Sequence, residues 1–223
     1  MAERRTGKLI RIGIFYDGSY FFKVSNFYKF GHRRKARLSF DGIHAFVRAK
    51  VAELEDVEEQ YCHIIEAHYF RGRLSAQTAS ATDQLEKERI FDDVLIKTGI
   101  LTHYLPLDET NYPRPVEKGV DVLLSVESLD LAYHRQFDVV VLVACDGDYV
   151  SLVKKLNGMG ARVMLLGWDF SYEFDTESGS RRREQTRVSQ SLINAVTYPM
   201  MLSRLIDDRT AQRDSLINGL FVG

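Results

Sequence analysis

Short apolar runs alternate along this chain with segments of helical periodicity. The strongest run, residues 139–145 (VVVLVAC), holds five consecutive Val or Leu side chains and stops abruptly at Asp146-Gly147-Asp148. A run without polar alternation predicts a strand buried on both faces, as in a parallel sheet. Tyr149, Val150, Leu152, Val153 and Leu156 then recur at helical spacing as far as Gly158 and Gly160, and residues 162–166 form another apolar run. This is a strand–helix–strand unit. The same alternation gives strands at 9–16, 63–70 and 100–105, helices at 41–54, 84–97 and 120–133, and a short helix at 188–196. Asp41 is the expected N-cap of the helix over 41–54, whose Ile43, Phe46, Val47, Val51 and Leu54 share one face. The segment at 76–82 is small and polar, a mobile loop or a helix lead-in. Residues 178–187 read as a mobile basic loop, and 199–206 as an apolar piece of either type. Strands alternating with helices predict an α/β fold with a central parallel sheet, here a single domain over 9–206 with 207–223 as an appended C-terminal tail.

The helix at 120–133 stands apart. Val120, Val122, Leu123, Leu124, Val126, Leu129, Leu131 and Ala132 cover most of its circumference, which predicts a largely buried helix. Asp121 sits in its first turn, and an ionised carboxylate is costly to bury without a partner. A cation nearby is the expectation.

At 223 residues, with 45% hydrophobic and 27% charged residues, the chain suits one full-sized globular α/β domain. The net charge of −1 excludes a global basic field, so any nucleic-acid surface has to be local. Cys62 and Cys145 both lie in apolar strand-like contexts and read as small core side chains, not as a disulfide or metal pair. No apolar run has membrane-spanning length, and residues 1–8 lack the apolar stretch of a signal peptide, so a cytoplasmic protein is expected.

Carboxylates gather where these elements end. Asp17 follows the first strand, Asp121 opens a helix, and Asp146 and Asp148 follow the strand at 139–144. If the strands are parallel and adjacent, the acids converge on the carboxyl edge of the sheet, where open α/β sheets bind ligands. Converging carboxylates repel one another unless they share protons or bind a cation. Oxygen-only donors select hard ions such as Mg²⁺ or Mn²⁺, and the implied chemistry is metal-assisted hydrolysis of a phosphodiester. Each acid alone has a plainer reading: Asp17-Gly18 as a turn, Asp148 as a helix N-cap, Asp121 as the partner of an arginine. Residues 19–37 interleave Tyr20, Phe21, Phe22, Phe27, Tyr28 and Phe30 with seven basic side chains (Lys23, Lys29, His32, Arg33, Arg34, Lys35, Arg37). That mixture suits single-stranded nucleic acid and equally describes a core helix followed by a solvated basic loop.

Three phrases, FYDGSY at 15–20, KGVDVLLSVESLDLA at 118–132 and VVLVACDGDYVSLVKKLNGMGARV at 140–163, together resemble the NYN-domain proteins of the LabA-like branch, within the PIN-like nuclease superfamily. The resemblance spans about residues 9–167. It implies a three-layer α/β/α PIN-like fold with a central parallel sheet of order 3-2-1-4-5 and a metal-dependent ribonuclease site. The family's acids fall on Asp17, Asp121, Asp146 and Asp148. Tyr20 stands where the family has Asn, and Ala144-Cys145 where it has Ser/Thr-Gly. The resulting expectation is a metal-dependent endoribonuclease. Asp17, Asp121 and Asp146 ligate Mg²⁺ or Mn²⁺, and Asp148 completes the site or orients water. Lys23, Lys29, Arg33, Arg34, Arg71, Arg73, Lys118, Arg181, Arg182 and Arg183 are the candidates to hold RNA. The alternative is a regulatory module that binds RNA or protein on the same fold without cutting. An aspartyl-phosphate enzyme ranks below both, because its second acid is expected two residues after the first and position 19 is Ser. A homo-oligomer is left open.

Overall fold

The computed structural model describes residues 7–175, 181–208 and 213–222. Six parallel strands form the central sheet: β1 (Ile10–Asp17), β2 (Cys62–Arg73), β3 (Leu101–Pro106), β4 (Val139–Val143), β5 (Arg162–Gly167) and β8 (Tyr198–Met201). Their order is β3-β2-β1-β4-β5-β8. The expected order 3-2-1-4-5 is present, and β8 extends it by one strand. That strand is the apolar piece at 199–206, which divides into β8 and the helix α8 (Leu202–Asp207).

Alternate side chains of each central strand feed two separate cores, the period-2 consequence of strand geometry. Ile10, Ile12, Ile14, Tyr16, Val139, Val141, Val143, Met164 and Leu166 pack on one side, against α1 (Gly18–Asn26), α2 (Phe40–Leu54) and Leu95 of α4 (Leu85–Lys97). Phe15, Phe70, Val140, Leu142, Val163 and Leu165 pack on the other, against α5 (Val120–Arg135), α6 (Val150–Gly158) and α7 (Gln190–Ala195). This is the three-layer α/β/α arrangement. β4 is buried at all five positions, as its unbroken apolar run requires. Gly13 of β1 leaves room for the Phe137 ring, which a Cβ there would meet at 2.5 Å.

Five expectations change. The α2 cap is Ser39, whose side chain accepts from Gly42 N at 3.1 Å, and Asp41 lies in the first turn, where an acid favours the helix N-terminus. The segment at 76–82 is largely helical, as α3 (Ala76–Ala81). The basic loop at 178–187 is in its described part a strand, β7 (Arg181–Thr186), paired antiparallel with β6 (Phe170–Asp175); residues 178–180 lie outside the described residues. The C-terminal segment is not a free tail: α9 (Ser215–Gly219) packs on α2, Leu220 and Ile217 are buried, and Leu38 bridges Phe221. Finally, α5 is not buried all round. Val120, Leu124, Ser128 and Ala132 are buried and Leu123, Leu129 and Leu131 pack half-buried against the same core, while Val122 is 61%, Val126 58% and Tyr133 70% exposed. The helix lies on the sheet with one face, and nothing among the described residues covers the other.

Candidate functional site

Asp17 is the last residue of β1 and also the N-cap of α1, so the strand passes into the helix without a loop. Its Oδ1 accepts from Tyr20 N at 3.0 Å and its Oδ2 from the Tyr149 hydroxyl at 3.2 Å. Gly18 makes the abrupt passage feasible: a Cβ would sit 2.5 Å from the Phe70 carbonyl oxygen of the neighbouring strand. Asp146 follows β4, the strand paired directly with β1, at the same sheet edge. It caps the turn over Gly147–Tyr149 by accepting from Asp148 N at 3.0 Å. Asp121 enters from α5, after Gly119 has taken the left-handed conformation that starts the helix (φ 75°).

Asp17, Asp121 and Asp146 line one cavity of about 280 Å³ at the carboxyl edge of the sheet, together with Tyr149 and a fourth carboxylate, Glu117. Glu117 is the residue the sequence reading passes over. Its Oε2 accepts from Ser19 Oγ at 2.9 Å and from Gly72 N at 2.6 Å, which ties the start of α1, the end of β2 and the approach to α5 together. The one sequence signal for it is position: it stands just before the Lys118-Gly119 entry to the helix that carries Asp121. Asp148 is exposed on the turn and is not part of the cavity lining. The cap role considered for Asp148 belongs to Asp146.

Asp121 is exposed, so burial does not call for a cation beside it, contrary to the expectation from its apolar helix. Asp17 carries the electrostatic strain instead. Burial raises its carboxyl above the ordinary value of 3.8, and the Glu117 charge adds to the rise; the Tyr20 amide, the Tyr149 hydroxyl and Lys23 act against it. Burial and the neighbouring Asp17 also hold the Tyr149 phenol far above its ordinary range, so it remains a proton donor. Burial, then the charges of Asp17 and Asp146, push the Cys145 thiol up to about 12, which keeps it from acting as a thiolate.

Four carboxylates around one cavity are the donor chemistry of a hard divalent cation. The spacing is open, however: among the described residues no three His, Cys, Asp or Glu side chains close around one point as a ready shell. Tyr20 contributes its backbone to the cap on Asp17, but its side chain turns into the core. Its hydroxyl donates to Trp168 O at 3.0 Å and accepts from Trp168 N at 2.6 Å, fixing the chain where it leaves β5.

The ten basic candidates separate clearly. Lys23 and Arg71 lie at the acidic edge: Lys23 on α1, 3.8 Å from Glu184 of β7, and Arg71 at the end of β2, stacked 4.4 Å over Phe22. Arg73 is held by Glu88 and Asp92 and by the Tyr104 ring at 3.7 Å. Lys118 pairs with Asp108 at 2.6 Å. Arg33 pairs with Asp207, and Arg34 bonds Asn218 and covers Phe221, so both serve the C-terminal packing. Arg181 pairs with Glu173 and Arg183 bonds Ser171, within the β6–β7 hairpin. Lys29 and Arg182 are exposed, and neither has a carboxylate at ion-pair distance among the described residues.

None of the described helices is long and apolar enough to cross a membrane. No curated protein sequence matches the chain. The profile of the NYN domain does match, over residues 11–199, from the second residue of β1 into β8. The match takes in every strand of the sheet and each of the acids at its carboxyl edge, so the chain belongs to the NYN domain family, a branch of the PIN-like nucleases.

Proposed function

We propose that this protein is a metal-dependent endoribonuclease of the LabA-like branch, acting in the cytoplasm through a domain that spans 9–206 and is completed by the packing of α9 on α2. One observation carries the reading: carboxylates from the ends of β1 and β4 and from the start of α5 share a single cavity with Glu117 at the edge where α/β sheets bind ligands. Asp17, Asp121, Asp146 and Glu117 would hold Mg²⁺ or Mn²⁺, and Asp148, on the exposed turn, stays outside the set. The ion, when bound, supplies Lewis acidity toward the phosphodiester and toward water.

The side chains of this chain do the rest. Tyr149, buried and locked as a donor, fixes the orientation of Asp17, and the helix cap fixes it from the other side. Glu117 is positioned by Ser19 and Gly72. Raising the Asp17 carboxyl by burial and by like charge stores repulsion that a cation relieves. Lys23, whose charge acts on Asp17, and Arg71, next to the Gly72 that bonds Glu117, are the basic side chains assigned to backbone phosphates. The second reading, an RNA-binding module without cleavage, is favoured by the open spacing of the acids and by the commitment of the Tyr20 side chain to Trp168.

Labelled RNAs incubated in Mn²⁺, Mg²⁺ or EDTA, with Asp146→Asn protein alongside, decide between the two. The expected result is metal-dependent cleavage that the substitution reduces to background. Equal cleavage by both proteins would sink the acidic-site assignment, and RNA binding without cleavage by either would establish the second reading.

A further inference from the structure

We propose that the β6–β7 hairpin is a base-stacking platform that makes the protein selective for single-stranded RNA over duplex; the inference rests on the RNA reading above and adds the substrate class. The hairpin leaves the sheet edge directly after β5 and packs on the π-helical turn Phe27–Gly31 that continues α1. A ladder of rings runs along one face of β6. Phe27 stacks on Phe170 at 4.8 Å with the planes 11° apart, Tyr172 follows 6.2 Å from Phe170, and Phe174 follows 5.6 Å from Tyr172. Phe170 is buried, Tyr172 half-buried and Phe174 36% exposed, so the ladder rises out of the core into solvent. Phe30, 57% exposed with the Arg37 guanidinium 5.7 Å over one face of its ring, lies on the same turn. The docking of the hairpin is built into the sequence: the Tyr172 side chain occupies the place of a Cβ on Gly31, which would meet it at 2.6 Å.

A single exposed Phe is ordinary, but neighbouring exposed rings that continue a core stack form a patch of the kind that marks a binding surface. Cations lie beside them. Strand pairing sets Arg182 opposite Phe174, on the face of the ladder, and Lys29 lies on the turn beside Phe30. These are the two basic side chains singled out above as exposed and without an acidic partner among the described residues. Exposed rings beside cations that have no acidic partner among the described residues form the recognition pattern for single strands: bases stack and phosphates pair, and a duplex keeps its bases turned inward. Lys23 links the platform to the acidic cavity, since it faces Glu184 of β7 and its charge is felt by Asp17.

Binding measured in EDTA, which separates recognition from cutting, tests this with a labelled single-stranded RNA, the same RNA annealed to its complement, and a strand carrying 2-aminopurine. Phe174→Ala is expected to weaken the single strand about 5- to 150-fold, the cost of one stacked base. Phe174→Trp restores it, 2-aminopurine quenching is lost with the ring, and duplex affinity stays the same. Arg182→Ala is expected to lower the salt dependence of single-strand binding. Both positions are exposed, so an unchanged Tm excludes misfolding. Single-strand affinity unaffected by Phe174→Ala and Phe30→Ala, an equal loss for duplex, or no RNA binding at all would each overturn the platform. Ring-dependent binding by a protein that cleaves nothing in Mn²⁺ would leave the platform standing and remove the nuclease reading. Cleavage that depends on Asp146 but not on the rings would do the reverse.

Discussion

At the scale of single residues, Asp17 is where fold and chemistry meet. It ends a strand, caps a helix and faces Glu117 across the cavity, and its carboxyl is raised by burial and by that second charge. Asp17→Asn keeps an oxygen for the Tyr20 amide and removes the repelling charge. The expected outcome in EDTA is a Tm equal to or above that of the parent, with the stabilisation by Mn²⁺ lost, both read by thermal shift. Tyr149→Phe leaves a buried ring and removes only the hydroxyl that orients Asp17. A partner of that kind is worth roughly 10- to 100-fold in metal affinity or activity, so cleavage is expected to fall by that factor while the fold persists. The same reduction is expected for Glu117→Gln. A Tyr149→Phe protein with full activity would mean that Asp17 is held by its helix cap alone.

At the scale of elements, the C-terminal helix is the test of how the layers hold together. Gly42 in α2 lies against Gly219 in α9, and a Cβ there would come 1.9 Å from the Gly219 carbonyl oxygen. Gly42→Ala is therefore expected to displace α9, to expose residues 213–222 to protease, and to cost about 1–3 kcal/mol, the usual range for overpacking. Leu220→Ala removes a fully buried side chain from the same contact and is expected to cost roughly 2–5 kcal/mol. Denaturant titration measures both. Arg33 and Arg34 belong to this packing, through Asp207, Asn218 and Phe221, and substituting them is expected to change stability before it changes RNA affinity.

At the scale of the whole molecule, stability should depend on pH through buried histidines. His68 and His103 touch across β2 and β3, with Nδ1 and Nε2 3.0 Å apart, near Glu66 and Glu127, and Arg135 pairs with that Glu66. Burial holds both below the ordinary 6.5; for His68 the charge of His103 adds to the depression, while Glu66 and Glu127 oppose it. Burial pushes His44 in α2 down to about 4. A folded-state pKa below the unfolded one means that the unfolded chain takes up protons first, so stability rises with pH. This contribution is complete above about 6.5 and is lost as pH falls through the folded-state values. Tm is expected to be level above pH 6.5 and to decline below it toward pH 4. His103→Gln should reduce that slope by removing one of the two rings that cannot both be charged.

Much of this protein was legible in local pattern. The unbroken VVVLV run could only be a strand covered on both sides, and the alternation of runs and periodic segments fixed a parallel α/β sheet. Acids at the ends of strands, and at the start of a helix that leads to the next parallel strand, lie at the carboxyl edge, which is why Asp17, Asp121 and Asp146 could be grouped from their places in the pattern. Tertiary structure decided what depends on partners far along the chain. Glu117 enters the cavity through bonds to Ser19 and Gly72, 98 and 45 residues away. Asp148 is exposed on the turn that Asp146 caps and is not among the residues that line the cavity. Arg73, Lys118 and Arg34 are basic in sequence, but each is committed to a partner that no periodicity reports. Apolar content around α5 predicted burial, yet a helix lying on a sheet covers one face only. Periodicity records which side of a backbone is apolar. Which distant charge or surface meets that side is set by packing, and there the chain had to be folded to be read.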